Sequence, residues 1–411
     1  MNLIKYNRHW EKGFRFGFTK KREIFTGLLN QIQAKQIVEL AGLRRTGKTT
    51  LMFQLIDHLL DEGVNPFSIW YYTFDEEKSE LDELFSSFSQ QSQADFKDEK
   101  IYVFLDEIQK LSDFQNKIKV YYDLYPNLKF FISGSTSLFI KKKIQESLAG
   151  RIITYLLPPL NFAEYLNFKD KTGLLEKRLA FRAELEKEFE IFLESQLIEA
   201  VNMKKASDRK TYFVSIIRKI TFEDVPQNFP VDNPEVLWRI VRVIGQNPGM
   251  CIDYRSLSAD LGISNKTVSL YLFYLEEAFL VKKLFNFSRN MLTSEKKLKK
   301  FYLASPSFSW AVSDFSEKGN LAENLIASVK DYRFFWRDPY KHEIDFVDTQ
   351  SGIMPIEVKY KNEVRDREFK NLIIFSRRFK TEQALMLSKD FEDSSAEIND
   401  LKIQKSPVYF F

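Results

Sequence analysis

The chain has 411 residues, of which 44% are hydrophobic and 29% charged, and its formal net charge is +4. This composition excludes a disordered chain, the length excludes a single ordinary core, and the small net charge does not by itself imply a nucleic-acid partner. No apolar run approaches the roughly 18 residues that a membrane helix needs, and residues 1–20 lack the apolar stretch of a signal peptide. We therefore expect a cytoplasmic protein with no membrane contact.

Cysteine and histidine are too sparse for two common classes of small structural site. The single cysteine, Cys251, excludes an internal disulfide framework. The three histidines, His9, His58 and His342, are scattered, so a structural zinc site is not expected.

An α/β pattern begins at Gln36 and runs to about Leu160, where short apolar runs alternate with amphipathic stretches. This alternation is typical of strands separated by helices, and it predicts a parallel sheet. The predicted strands are Gln36–Ala41, Ser68–Phe74, Ile101–Leu105 and Lys129–Ser133.

A phosphate-binding loop follows the first predicted strand. Residues 42–49 fit the P-loop pattern at every required position, and a helix is predicted from Thr50 to about Asp61. The glycines of such a loop let successive backbone N–H groups face phosphates at a helix N-terminus. Lys48 is expected to reach the β- and γ-phosphates, and the Thr49 hydroxyl is expected to ligate magnesium. The expected contacts to ATP or GTP are Gly42, Leu43, Arg44, Arg45, Thr46, Gly47, Lys48, Thr49 and Thr50.

Two acids follow the buried strand Ile101–Leu105, as in a Walker B motif. Asp106 is expected to hold magnesium through water, and Glu107 to orient and deprotonate the attacking water. The pair comes about 57 residues after the P-loop. Because acids at strand ends are common on surfaces, this motif depends on the P-loop for its interpretation.

Further polar residues can complete the nucleotide site. The next strand ends in Ser133 and Ser135, either of which can act as a sensor of the γ-phosphate or the lytic water. Arg151 can serve as a cationic finger that stabilises transition-state charge, in its own subunit or a neighbour. Arg44 and Arg45 compete for that role, as does the alternative that each is a surface arginine without one.

The middle of the chain turns helical and charged from Phe162 to about Val225, and the Pro/Asn-rich segment 228–234 is predicted to be a linker. A helix-turn-helix is predicted next, with helix Tyr254–Leu261 and a second helix capped by Ser264. Basic residues are frequent at 282–300 and can neutralise DNA phosphates. A role in packing is the alternative. The predicted groove-facing residues are Asn265, Lys266, Ser269 and either Tyr271 or Tyr274.

Acidic residues recur on the last predicted strands. Asp345 lies on one strand, and Glu357 and Lys359 point to the same side of the next. Two carboxylates and a lysine suit metal-assisted phosphodiester cleavage, in which Glu323 would be a further metal ligand. The pattern is similar to the PD-(D/E)xK signature of restriction-endonuclease-like folds, although no proline precedes Asp345.

Taken together, these motifs resemble those of the archaeal-type AAA ATPases of prokaryotes, relatives of the STAND signalling ATPases. The resemblance covers essentially the whole chain, and the functions of that family are mostly uncharacterised. It implies an AAA-type P-loop ATPase domain at 1–160, a helical lid or linker at 161–232, a winged helix at 233–288 and an α/β restriction-endonuclease-like domain at 289–411. The motifs that carry it are residues 42–49, 105–109, 132–135, 148–151 and 158–165.

The expected function follows from these parts. The chain should bind and hydrolyse ATP with Mg2+, and its nucleotide state should control a C-terminal half that acts on DNA. The alternative is a regulatory switch or protein-interaction module whose nuclease-like domain cuts nothing. Nucleotide-dependent self-association is compatible with either function.

Overall fold

The computed structural model describes residues 2–76, 79–135, 148–314 and 317–410. The chain forms two compact units, Met1–Pro158 and Pro159–Phe411. No helix in these described ranges combines the length and the apolar character that crossing a bilayer requires.

The first unit is built on a parallel sheet, which confirms the predicted α/β class. In its described residues the strands lie in the order β2-β3-β4-β1-β5. The four strands predicted from sequence are almost entirely buried and carry mostly apolar side chains on both faces, with Glu39 and Lys129 as buried charged exceptions. The edge strand β5 (Ile152–Leu156), which is only partly buried, was not predicted. The strands are β1 (Ile37–Ala41), β2 (Ile69–Thr73), β3 (Ile101–Asp106), β4 (Leu128–Gly134) and β5 (Ile152–Leu156).

Helices cover this sheet and supply the rest of its core. Helix α2 (Lys48–Asp61) starts two residues before the predicted Thr50, within the predicted phosphate loop, and buries Leu51, Leu55 and Leu59, which are spaced four residues apart. The described helices of the unit are α1 (Ile24–Leu29), α2 (Lys48–Asp61), α3 (Leu81–Ser92) and α4 (Phe114–Leu124), with 3-10 helices at Arg8–Trp10, Pro66–Ser68 and Ile108–Lys110.

The second unit begins with helices, as the charged amphipathic pattern predicted. A π-helical turn at Ile220–Asp224 continues the helix that ends at Lys219. The described helices are α5 (Phe162–Phe168), α6 (Gly173–Glu176), α7 (Arg182–Leu193), α8 (Ala206–Lys219), α9 (Val225–Asn228), α10 (Pro234–Gln246), α11 (Tyr254–Leu261), α12 (Asn265–Glu277), α13 (Met291–Lys296), α14 (Pro306–Val312), α15 (Lys318–Val329) and α16 (Lys370–Phe379), with 3-10 helices at Ile198–Ala200, Asp366–Phe369 and Val408–Phe410.

The described strands of the second unit form one mixed sheet. The described strands lie in the order β13-β14-β12-β11-β10-β9-β7-β8-β6. Strand β7, which follows the two helices α11 and α12, pairs with β9 in parallel register, so the segments on either side of residue 288 share one sheet. The strands are β6 (Met250–Ile252), β7 (Val281–Asn286), β8 (Lys299–Leu303), β9 (Phe334–Arg337), β10 (Glu343–Asp348), β11 (Met354–Lys359), β12 (Gln383–Ser388), β13 (Ser394–Ile398) and β14 (Leu401–Pro407).

Candidate functional sites

The loop between β1 and α2 has the backbone that a phosphate-binding turn requires. Gly42 has φ +150°, and a Cβ atom there would lie 2.5 Å from the carbonyl oxygen of Leu157. Gly47 has φ 99° and ψ 22° and precedes the first residue of α2. Both positions therefore need glycine, one for close approach to the chain after β5 and one for its left-handed conformation.

Lys48 holds the loop in shape. Its buried ammonium group donates hydrogen bonds to the carbonyl oxygens of Gly42 and Leu43, each at 3.0 Å. Thr46 also donates to the Leu43 carbonyl, at 2.9 Å. Each of these partners is within the loop itself, so the lysine reaches over the same concave turn that would receive a phosphate.

Arg22, which sequence analysis did not identify, supports the loop from outside. Its guanidinium donates to the carbonyl oxygens of Thr46 and Pro158, each at 2.9 Å, and only 5% of the residue is exposed. One side chain therefore joins the phosphate loop to the end of the first unit. Nothing in the local sequence around Arg22 distinguishes it from the neighbouring lysines, because its partners are backbone groups far along the chain.

Asp106 lies beside the start of α2. Its Oδ2 accepts hydrogen bonds from the hydroxyls of Thr49 at 2.6 Å and Tyr71 at 3.1 Å, and its Oδ1 accepts from Ser133. Burial and the neighbouring Glu107 raise the pKa of Asp106. A hydroxyl and a carboxylate in contact are the oxygen ligands that Mg2+ prefers, so Thr49 and Asp106 fit a magnesium ion between them. Tyr71 was not identified from sequence.

Glu107 is held beside the end of strand β4. It has φ 53° and ψ 43°, a left-handed conformation that is uncommon for residues other than glycine. Its Oε2 accepts hydrogen bonds from Ser135 at 3.0 Å and from the Gln109 amide at 2.5 Å. Its backbone N–H donates to Ser133 at 3.2 Å. Ser135 thus lies with Glu107, whereas Ser133 supports Asp106 and the Glu107 backbone.

The remaining predicted nucleotide contacts divide into two groups. Thr50 lies in the first turn of α2, while Arg44 and Arg45 lie in the loop, where Arg45 has φ 68°. Arg151, in contrast, accepts a backbone hydrogen bond from Ile37 at the opposite end of β1. Five strand residues separate these ends, a distance of about 16 Å. Arg151 also binds the Asp123 carboxylate through two nitrogens, at 3.0 and 3.2 Å. This placement favours two of the roles left open for Arg151, a finger that acts on a neighbouring subunit or a surface arginine without a role at the phosphates.

The second predicted site contains a cation that sequence analysis missed. Lys300 is 2% exposed, and its Nζ lies 2.7 Å from Glu323, 2.8 Å from Glu343 and 3.4 Å from Asp345. Lys359 pairs with Glu357 at 2.5 Å, and Asp345 accepts a hydrogen bond from the Val358 backbone. Glu323, Asp345, Glu357 and Lys359, the four residues predicted from sequence, thus belong to one network with Lys300.

This acidic network does not fit a magnesium ion as it stands. Mg2+ binds oxygen ligands at about 2.0–2.1 Å, and the centre of the three carboxylates is already filled by the Lys300 ammonium. In the described residues, no group of three or more His, Cys, Asp or Glu side chains is arranged to hold a metal ion. Gly249 closes the network from one side, since a Cβ there would lie 2.8 Å from Glu323 and 2.9 Å from Lys300.

The predicted helix-turn-helix has two capped helices. Asp253 caps α11, Gly262 ends it in a left-handed conformation, and Ser264 caps α12. The predicted groove-facing residues Asn265, Lys266 and Ser269 are exposed. Tyr271 and Tyr274 are buried, so the prediction that one of them faces a groove is wrong: Tyr271 receives the backbone N–H of Asn233, and Tyr274 stacks on Phe229.

Comparison with known families identifies one part of the chain. Residues 34–166 match the family model of the AAA domain, and this range includes the loop 42–49, Asp106, Glu107 and strand β4. The first unit therefore contains an AAA-type P-loop domain. Residues 199–319 and 318–404 match two domains of unknown function, DUF8612 and DUF4143.

Individual relatives are more distant. The chain is 29% identical over 356 residues to an uncharacterized protein of Methanocaldococcus jannaschii, covering 80% of this chain and 76% of the relative. It is 27% identical over 273 residues to an uncharacterized protein of Haemophilus influenzae, covering 64% and 66%. Among solved structures it is similar to the replication initiator DnaA bound to AMPPCP and single-stranded DNA, with 15% identity and a TM-score of 0.32, covering 62% of this chain and 86% of that one.

Proposed function

We propose that the first unit binds and hydrolyses ATP with Mg2+. The single observation that carries the proposal is the meeting of Thr49, Asp106 and Glu107 beside the loop that Lys48 spans. Phosphoryl transfer to water needs a phosphate cradle, a magnesium ligand pair and a base for the water, and these residues supply each part.

Each residue has a distinct role in this proposal. Thr49 and, through water, Asp106 would hold Mg2+, which would neutralise charge on the β- and γ-phosphates when bound. Lys48 leaves the loop carbonyls and binds those phosphates, and Glu107 takes the proton of the attacking water. Ser135 orients that water or senses the γ-phosphate, because its hydroxyl contacts the Glu107 carboxylate.

A hydrolysis assay tests the proposal directly. Phosphate release from ATP and GTP is measured with Mg2+ and with EDTA, in the presence and absence of DNA. Glu107→Gln should lower the turnover number by roughly 10²–10⁴-fold while nucleotide binding persists. The exposed Glu62 in the same unit gives the matched control, Glu62→Gln, which should hydrolyse ATP at the wild-type rate. Equal rates of ATP hydrolysis by wild type and Glu107→Gln would contradict the role of Glu107 as the base.

We further propose that nucleotide state controls a winged-helix and nuclease-like C-terminal half that contacts DNA. The order of elements from α10 to β8 is one helix, one strand, two helices, one strand, the short helix α13 and a last strand, which supports a winged helix. In this proposal the four segments 1–160, 161–232, 233–288 and 289–411 are the ATPase, the lid or linker, the winged helix and the nuclease-like domain.

The alternative of a non-cleaving module is favoured by Lys300, which takes the position of a metal among the acids. Incubation of the protein with plasmid and single-stranded DNA, in Mg2+ or Mn2+, distinguishes a nuclease from a non-cleaving module. Cleavage that disappears in Lys359→Ala would establish a nuclease, whereas intact DNA under all conditions would establish the non-cleaving module.

Self-association with nucleotide is the last part of the proposal. Because Arg151 lies away from its own phosphate loop, a role for it as a finger requires a neighbouring subunit. Sedimentation with and without ATP tests assembly, and unchanged hydrolysis by Arg151→Ala would remove the finger.

A further inference from the structure

A cavity in the second unit brings together cations from separate parts of the chain. It has a volume of about 690 Å³, and five of its lining side chains are basic against one carboxylate, Asp338. We call it the basic cavity. Its basic residues are Lys296, Lys297, Arg337, Lys341 and Arg378.

The carboxylate does not neutralise these cations. Asp338 accepts hydrogen bonds from the backbone N–H of His342 at 3.0 Å and from the His342 ring at 2.8 Å. Its side chain is only 6% exposed. Across the residues the structure describes, Lys297, Lys341 and Arg378 form no ion pair with any acid. Like charges held together in this way favour the binding of an anion.

The cavity is built on fixed elements. The Asn286 side chain exchanges two hydrogen bonds with the backbone of Arg337, at 2.8 and 3.1 Å, which joins β7 to β9. The Arg378 guanidinium lies 5.9 Å from the Trp336 ring centre and 5.8 Å from that of Phe379. Burial and Arg378 lower the pKa of Lys297, as expected where cations are crowded.

An aromatic side chain stands next to the cations. Tyr340 lies in the turn between Pro339 and Lys341, both of which line the cavity, and it is 83% exposed. A basic groove beside an exposed aromatic ring is the usual surface for single strands, because cations bind the phosphates and bases stack on the ring. Free phosphate or another small anion has no base that could stack on the Tyr340 ring.

We propose that the basic cavity binds single-stranded DNA, with Lys297, Lys341 and Arg378 on successive phosphates and a base stacked on Tyr340. This deepens the proposed contact of the C-terminal half with DNA and rests on it, but it needs neither ATP hydrolysis nor a metal. The cavity also adjoins the acidic network, since Arg337 lies 3.5 Å from Glu343. The strand would therefore lie beside acids already paired with Lys300.

Fluorescence anisotropy of a labelled oligothymidylate tests the proposal on the full chain. Replacing Lys297, Lys341 and Arg378 with alanine should weaken binding at least about tenfold and reduce the slope of log affinity against log salt by about 2. The matched control replaces three exposed lysines elsewhere in the unit, Lys177, Lys187 and Lys402, and should keep wild-type affinity. Tyr340→Ala should weaken binding by roughly tenfold without changing the salt slope. Thermal unfolding and ATP hydrolysis of each variant check that it is folded.

Two further binding measurements distinguish single-stranded DNA from duplex DNA and from free phosphate as the ligand. Duplex DNA should bind more weakly than the single strand, and inorganic phosphate should compete only through ionic strength. The proposal is overturned if the cavity variant binds the oligonucleotide as tightly as the lysine control, if duplex binds equally well and ignores Tyr340→Ala, or if phosphate displaces the strand at matched ionic strength. ATP hydrolysis without strand binding would reject the cavity and keep the ATPase, and strand binding without hydrolysis would do the reverse.

Discussion

The Thr49 hydroxyl donates a 2.6 Å hydrogen bond to the Asp106 carboxylate, joining the first turn of α2 to the end of β3. Because parallel strands present their carboxyl ends at one edge of a sheet, the loop after β1 and the acids after β3 meet there. Two motifs 57 residues apart thereby meet at the site that we propose for Mg2+.

Replacing Asp106 with asparagine should abolish most magnesium-dependent hydrolysis, since a neutral amide is a poor ligand for Mg2+. We expect a loss on the order of a hundredfold or more in turnover. Phosphate release at increasing Mg2+ measures it. Wild-type hydrolysis by Asp106→Asn at ordinary Mg2+ would contradict the site.

Replacing Gly42 with alanine should destabilise the first unit by about 1–3 kcal/mol, because the new Cβ would overlap the Leu157 carbonyl. Gly63→Ala is the control: Gly63 also has positive φ, at +82°, but no atom lies within 4 Å of a Cβ there. Thermal unfolding compares them. If Gly63→Ala proved the more destabilising, the close approach at Gly42 would not be the cause.

Replacing Lys300 with methionine should lower the free energy of unfolding of the second unit by about 3–5 kcal/mol, since the buried Asp345 and the partly buried Glu323 and Glu343 lose their common cation. Mn2+ should raise the melting temperature of this variant and not of wild type, because the vacated position suits a cation. Lys318→Met, which breaks the exposed pair with Glu190, should cost less than about 1 kcal/mol. Equal stability of the two variants would speak against a central role for Lys300.

The pH dependence of the stability of the first unit should reflect the protonation of His9. Burial lowers the pKa of His9 from 6.5 to about 4, against a weaker opposing effect of its hydrogen bond to the Ile69 carbonyl. The unfolded chain therefore binds a proton between pH 6.5 and 4 that the folded chain does not, so stability falls as pH drops through this window, by at most about 1.4 kcal/mol per unit. Hydrogen exchange of β2 at matched pH should show a smaller fall in His9→Gln; an identical fall in both proteins would assign the effect to other groups.

The features that could be predicted from the sequence are those that depend on a local pattern of residues. The parallel sheet and the AAA-type domain were predicted because strand periodicity, glycine spacing and the strand-end acids lie in short continuous segments. Arg22, Tyr71 and Lys300 were missed because their partners are distant in sequence. The one signal for Lys300 was its position directly before the apolar run 301–303, where a lysine on a buried strand needs acids to neutralise it.

The shared sheet of the second unit limits how this half of the chain can be divided or inherited. A cut at residue 288 separates β7 from β8 and β9 and exposes backbone hydrogen-bonding groups on both fragments. Unpaired strand edges of this kind favour aggregation over independent folding. Recombination between homologous genes should therefore exchange residues 234–410 as one block, and expression of either half alone should yield insoluble protein.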